Sequence, residues 1–350
     1  MKHSILRPAG VTAVCATLMC LSVSCRKDLC YDHFRKASVA LDWELVWERD
    51  YGHHHEAGWD ESYHGFSYGY LSPAMPEGVT MLTYGQDPMP TETFMGVEGA
   101  DVNIGEGGTH SMLLYNNDTE YIVLSDVASL PVARATTTSR SRSSLKNLQS
   151  MHPDERSVNP PDVLFASFVD GVPEIGIHEK EAISAKMQPL VYTYVIRYEF
   201  EHGAEHVALA RGALAGMAEA VYLRDGVTSE ECATLLYDCS MTSYGAVATV
   251  RSFGVPGFPD EYYGRTPRSR SDRVYSLNLE VRLTNGTIKE FLFDVSDQIA
   301  LQPRGGVITV GEIRVEDSEN QVTGDFNVTV DDWGDAEDVD LSVGVEFQDK

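Results

Sequence analysis

The stretch YTYVIRYEF, residues 192 to 200, places Tyr192, Tyr194, Ile196, Tyr198 and Phe200 on one parity and Thr193, Arg197 and Glu199 on the other. Alternation with a period of two marks a half-buried β-strand, because successive side chains leave a strand on opposite faces. Working outward, SVALDWELVWE (38 to 48) repeats the pattern, with Val39, Leu41, Trp43, Leu45 and Trp47 opposed to Asp42, Glu44 and Glu48. Shorter runs of the same character are VTMLTY, HSMLLYN, YIVLSD, DVLFASFV, AVATVRSF, GVITVGEIRV and FNVTV. Many short strands separated by glycine-rich breaks predict an all-β chain built of sandwiches rather than a parallel sheet. One segment resists this reading: the alanines of ALARGALAGMAEAVYL (208 to 223) favour helix by propensity, and periodicity does not settle the matter.

Local rules also set the register of one hairpin, around Asn285-Gly286. A two-residue turn would place Val281 opposite Glu290 and mix core with solvent faces, which register selection disfavours. A three-residue loop of Thr284, Asn285 and Gly286 instead pairs Leu279 with Phe291, Leu277 with Phe293 and Tyr275 with Val295, with Gly286 at positive φ.

The chain opens MKHSILRPAGVTAVCATLMCLSVSC, in which Lys2 and Arg7 precede an apolar run from Val11 to Leu21. This is the layout of a secretory signal, and the run is too short to span a bilayer. It ends in Ser22, Val23, Ser24 and then Cys25, a lipobox, so residues 1–24 read as a signal peptide and Cys25 as the lipid-modified (palmitate-bearing) first residue of a mature lipoprotein. Several acyl chains on one residue anchor durably where a single chain is marginal.

Removing the leader leaves 25 basic against 53 acidic residues. So negative a chain argues against nucleic acid as a partner and against adhesion to anionic lipid, leaving the acyl chains on Cys25 as the attachment to the outer membrane. Of the other mature cysteines, Cys232 and Cys239 are seven positions apart. That is about 10 Å on a helix and over 20 Å on a strand, beyond the roughly 7 Å a disulfide spans, so they are expected not to pair with each other.

The mature chain is longer than one core normally serves. Polar, serine- and proline-rich sequence lies at 135 to 150 and 151 to 162. The boundary is accordingly set there, with an N-terminal sandwich over 25–150, a linker over 151–162 and a C-terminal sandwich over 163–350.

Catalytic signatures do not occur: there is no G-x-S-x-G elbow, no P-loop and no H-E-x-x-H, and His55-Glu56 and His178-Glu179 each lack the second histidine. GEGG (105 to 108) reads as a hairpin turn rather than a phosphate cradle. The richest cluster is GHHHEAGWDESYHGFSYGY (52 to 70). Its histidines, His53, His54, His55 and His64, do not share a strand face, so no metal and no cofactor is assigned. Its aromatic residues could stack on sugars, with Trp59, Tyr63 and Tyr68 the glycan-binding candidates; the alternative is a long aromatic loop packing over its own sandwich. Arg140, Arg142, Arg265, Arg268, Arg270 and Arg273 read as solvated loop residues.

After the lipobox, the stretches RKDLCYDH (26 to 33), LDWELVWERDYG (41 to 52), PEGVTMLTY (76 to 84), YNNDTEYIVL (115 to 124), PLVYTYVIRYEF (189 to 200), RSFGVPGFP (251 to 259), YSLNLEVRLTNGTIKEFLFDVSDQ (275 to 298), QPRGGVITV (302 to 310) and FNVTVDDWGD (326 to 335) resemble a family of Bacteroidota lipoproteins related to fimbrial subunits and fimbrillin anchor proteins. The resemblance implies two tandem transthyretin-like, fimbrillin-like sandwiches. It also implies a non-enzymatic structural or adhesive role, anchoring or assembling a fimbria-like appendage with pilin-like subunits as partners. A glycan-binding envelope lipoprotein is the other function open to it. Arg26 and Lys27 stand where surface-exported relatives often carry acidic residues, which leaves periplasmic and surface-facing placements both open.

Overall fold

A computed structural model describes residues 36–104, 108–141, 152–173, 175, 179–258 and 273–320. The leader, Cys25, FNVTV, Arg142, Arg265, Arg268 and Arg270 lie outside the described residues.

The strands, in chain order, are β1 (Lys36–Trp43), β2 (Val79–Tyr84), β3 (Thr91–Met95), β4 (Gly99–Asn103), β5 (His110–Asn116), β6 (Ile122–Ser125), β7 (Arg134–Thr137), β8 (Arg156–Val158) and β9 (Phe165–Val172). They continue with β10 (Lys180–Pro189), β11 (Tyr192–His202), β12 (Val207–Ala218), β13 (Val221–Tyr222), β14 (Cys232–Thr242), β15 (Gly245–Ser252), β16 (Ser276–Leu283), β17 (Ile288–Asp294) and β18 (Gly306–Arg314). Among the described residues, three short α-helices accompany them: α1 (His55–Gly58), α2 (Glu61–His64) and α3 (Ser296–Leu301). None is long and apolar enough to cross a membrane.

Two sandwiches follow one another. The first has strand order β3-β2-β5-β9-β10-β1-β4, and β10 turns the corner: its Lys180–Met187 stretch runs parallel to β1, while Gln188 and Pro189 pair with β9. Val39, Val102, Ile183 and Met187 from one layer meet Val79, Met81, Met112, Leu114 and Phe165 from the other. The second has order β17-β16-β12-β14-β15-β11-β18, with β14 leaving β12 after Cys239 to pair with β15. Its core sets Tyr194, Ile196 and Tyr198 of β11 against Leu214, Leu235, Leu277 and Leu279. A small sheet, β13-β7-β6, and the residues joining the sandwiches close a third apolar cluster that includes Leu113, Tyr115, Leu190, Val191 and Phe253.

The parity read from 192 to 200 holds for the core side: Tyr192, Tyr194 and Ile196 are buried. The opposite parity does not stay in solvent, for Arg197 is only 2% exposed. The 38-to-48 run forms β1 only as far as Trp43, and Glu48, placed on the solvent parity by sequence, is buried. The alanine-rich segment is strand β12, paired on both sides by β14 and β16. Tertiary pairing outweighs a propensity preference of only a few tenths of a kcal/mol per residue.

The division between the sandwiches differs from the expected 151–162 linker. β8, inside that segment, already pairs with β14 of the second sheet, whereas β9 and β10, which follow it, belong to the first, so the chain crosses between the sheets more than once and no single boundary falls at 151–162. Of GEGG, residues 105–107 lie outside the described residues.

The hairpin register is the one derived above: Leu279 faces Phe291, Leu277 faces Phe293, and Val295 N donates to Tyr275 O. Leu283 and Thr287 close the loop and Gly286 has φ 85°. Cys232 and Cys239 are free thiols on β14. On the outer face of β12 and β16, Arg211 and Glu280 are cross-strand partners in an ion pair with side chains 7% and 2% exposed.

Candidate functional site

The segment after β1 is the aromatic loop, and it packs on the second sandwich. Its residues fold back because their side chains find partners on the outer face of β11 and at Leu301 and Gln302, just ahead of β18. The Arg197 guanidinium lies between the rings of Tyr63 and Tyr244, 3.6 and 4.0 Å from their centroids. It donates to Tyr63 O at 2.5 Å and to Tyr244 Oη at 3.0 Å, and Tyr63 Oη donates to Glu199 Oε1 at 2.7 Å. A cation removed from water is retained where aromatic faces and hydrogen bonds replace its hydration.

The three glycan candidates are all engaged in this packing. Trp59 stacks on the His64 ring at 3.8 Å, its Nε1 donates to Phe66 O, and its edge meets Trp47. Tyr63 covers Arg197. Tyr68 lies against Trp47 and donates through its hydroxyl to Glu48 Oε1 at 2.9 Å. The histidines of the loop do not converge on one point. His53 Nε2 reaches Leu301 O at 3.1 Å, His55 Nε2 reaches Gln302 Oε1 at 3.1 Å, and His54 pairs with Asp50. Because Gln302 Oε1 is an acceptor, His55 carries its proton on Nε2.

Gln302 connects the loop to a sheet edge. Its Oε1 accepts from Val307 N at 2.7 Å while its Nε2 donates to Val307 O at 3.0 Å. Gln298, on α3, does the same at Thr309, with both contacts at 3.0 Å. Each primary amide occupies the donor and acceptor that an adjoining strand would use, so the outer edge of β18 is closed by side chains. The edge strand β3 of the first sandwich carries no such cover among the described residues and presents Phe94, 68% exposed, beside Met89, 65% exposed.

Glu48 is the electrostatic outlier of the loop. Burial pushes its carboxyl up to about 7 against the pull of the Tyr68 hydroxyl, with Asp50 and Glu56 adding repulsion. A carboxyl with a raised pKa binds a proton more tightly folded than unfolded, so stability is highest below the unfolded pKa and falls as pH rises toward 7. Glu48→Gln, which keeps the acceptor for Tyr68, should therefore flatten the pH dependence of stability between about 4.5 and 7. Above pH 7 it should gain up to about 3 kcal/mol over the parent in urea titrations. An unchanged pH profile would show that Glu48 ionises freely.

Beside the loop lies a cleft of about 560 Å³. Its floor is the outer face of β11 and β15, where Thr193 and Arg251 are cross-strand partners and Thr249 shares their face. Segments 70–74 and 159–163 also line it, together with Tyr121 and Arg140. Tyr70 stands in this lining with 74% of its surface exposed. Sequence reading named Trp59, Tyr63 and Tyr68 as glycan-binding candidates and left out Tyr70, the last residue of the same cluster. Exposure is set by which ring meets Trp47 or Arg197, and both are contacts across the fold.

Residues 66–238, just under half of the chain, match the family model described as Domain of unknown function (DUF5119). No curated protein matches. Among solved structures, the chain is similar to a candidate adhesin from Bacteroides ovatus, at 18% identity and a TM-score of 0.55, over 81% of this chain and 93% of that one. Weaker likenesses are to candidate polysaccharide-binding proteins from Bacteroides thetaiotaomicron (8% identity, 79% and 91% covered, TM-score 0.48). A further one is to the fimbrial anchor protein Mfa2 from Porphyromonas gingivalis (10% identity, 79% and 90% covered, TM-score 0.42). The tandem-sandwich fold expected from the family resemblance is thus shared with an adhesin-like structure over nearly the whole of its length.

Proposed function

We propose that this chain is an envelope lipoprotein, held to the outer membrane by acyl chains on Cys25, with a structural or adhesive role in anchoring or assembling a fimbria-like appendage. The observation that carries the reading is the pair of tandem sandwiches, a fold shared with the Bacteroides ovatus structure across 93% of that chain. The treatment of the sheet edges supports it. One edge, β18, is closed by Gln298 and Gln302, while β3 carries no such cover among the described residues and presents an exposed phenylalanine. Strand addition uses such an edge, drawing affinity from backbone hydrogen bonds and specificity from alternate side chains.

The test is made in the native cell, with a photo-crosslinking residue placed at Thr93 of β3 or, as control, at Thr309 of β18. The expected result is a pilin-like adduct from position 93 and none from 309, and release of both protein and adduct from the membrane fraction in Cys25→Ala cells. Retention of the Cys25→Ala protein in the membrane would refute lipid anchoring. Release without any adduct or appendage change would refute the appendage role and raise the second reading, glycan binding, which the cleft beside the loop favours.

A further inference from the structure

The cleft beside the loop brings together an exposed arginine, threonine hydroxyls and an exposed aromatic ring. The chain carries 53 acidic residues against 27 basic ones. Most of its described arginines are engaged: Arg49 with Glu44, Arg156 with Glu219, Arg211 with Glu280, Arg273 with Glu230 and Arg314 with Glu201. Arg251 is not among these pairs: it is exposed, lines the cleft, and its side chain has no hydrogen-bond or ion-pair partner among the described residues. In a chain with a twofold excess of acid, a cation left without a carboxylate has an unfilled role.

The one acid in the lining does not compete for it. Asp162 turns its Oδ2 to the backbone N–H groups of Glu120, at 2.6 Å, Tyr121, and Ile122, at 3.3 Å. That arrangement also fixes the Pro160–Pro161 segment, so this side of the cleft is formed before any ligand arrives, which lowers the cost of binding. Arg140 adds a second positive charge, held by Leu236 O at 2.9 Å and by Asp238 at 3.4 Å. The floor offers the hydroxyls of Thr193 and Thr249 next to Arg251. Tyr70 supplies an aromatic surface at the same recess.

We propose that this cleft binds a carboxylated saccharide, with the carboxylate on Arg251, sugar hydroxyls on Thr193 and Thr249, and a pyranose face against Tyr70. An anion is indicated by the unpaired guanidinium, which matches a carboxylate in a two-point contact. A sugar rather than a plain acid is indicated by the aromatic face and by the two threonines that share the face of Arg251. The volume of about 560 Å³ lies in the range of roughly 300–1,000 Å³ that small-ligand sites occupy. The overall negative charge does not forbid it. At physiological ionic strength charges are screened over about 8 Å, so a ligand seated on Arg251 responds to the local arginines more than to distant acids.

The inference stands apart from the anchoring role, because it is tested on the purified full chain without membrane or partner. Calorimetric titration would use a panel of oligosaccharides bearing galacturonic, glucuronic or sialic acid, their neutral counterparts, and a tetraglutamate peptide. At least one acidic sugar should bind about tenfold or more tightly than its neutral counterpart and than the peptide. Arg251→Gln should remove that preference and Tyr70→Ala should weaken binding severalfold, with melting temperatures unchanged because both side chains are exposed. Absence of binding across the acidic panel, equal binding of the neutral sugars, equal binding of tetraglutamate, or an unaltered Arg251→Gln would each overturn the proposal.

Discussion

Arg211→Met should destabilise the protein by on the order of 3–5 kcal/mol, a large part of the 5–15 kcal/mol typical of a folded domain. The arginine and Glu280 face each other across β12 and β16, and Arg211 Nε donates to Glu280 Oε1 at 2.9 Å. Removing the cation leaves a carboxylate that is 2% exposed, whose Oε2 already lacks a hydrogen bond. The loss therefore comes from the stranded charge rather than from the attraction itself. The double variant Arg211→Met, Glu280→Leu should regain most of the stability, since an apolar pair of similar volume replaces a buried ion pair at little or no cost. Urea unfolding of the parent and both variants distinguishes the cases. A single variant that loses under about 1 kcal/mol would mean that water reaches Glu280.

The second large effect is expected at Arg197→Met, on the order of 2–4 kcal/mol from two desolvated cation–π contacts and the charged hydrogen bonds. Here the loss should be accompanied by a local change. The ring of Tyr63 and its carbonyl both rest on the guanidinium, so the aromatic loop should loosen from β11. Protease cleavage within 53–71 and a red-shifted tryptophan emission from Trp59 should appear under conditions where the sandwiches stay folded. Arg197→Lys should not restore the loop, because a point charge cannot stack on two rings as a planar guanidinium does. Equal protease resistance of parent and variant would show that the loop is held by other contacts.

These two sites also mark the limit of reading strands from sequence. Alternation identified the core side of β11 correctly because it depends only on the pleat. The same alternation assigned Arg197 to solvent, and there it failed. The cover comes from Tyr63, far away in the chain, and no local pattern announces that a loop will return to this face. Glu48 failed for the same reason: it lies beyond the end of β1 and its carboxylate is met by Tyr68, twenty positions on. The Thr284–Gly286 hairpin was legible in full, since its register is set by residues within a few positions of the turn. The division of the sandwiches was not. Composition marked a polar connection at 151–162, but β9 and β10 return to the first sheet through pairings with β5 and β1 that composition does not encode. Within the aromatic cluster, residue types suggested a binding surface, and only the fold separates Tyr70, open to the cleft, from Trp59, Tyr63 and Tyr68, engaged in packing.

The glutamine contacts on β18 have a bearing on the order in which the chain assembles. Gln302 meets Val307 across five positions and Gln298 meets Thr309 across eleven, whereas β18 finds β11 only across more than a hundred. Short loops close sooner and with less entropy lost than long ones. The strand thus acquires its guard on one side while the other still waits for its distant partner, and through that interval of folding it offers a single vacant ladder to pairing in place of two.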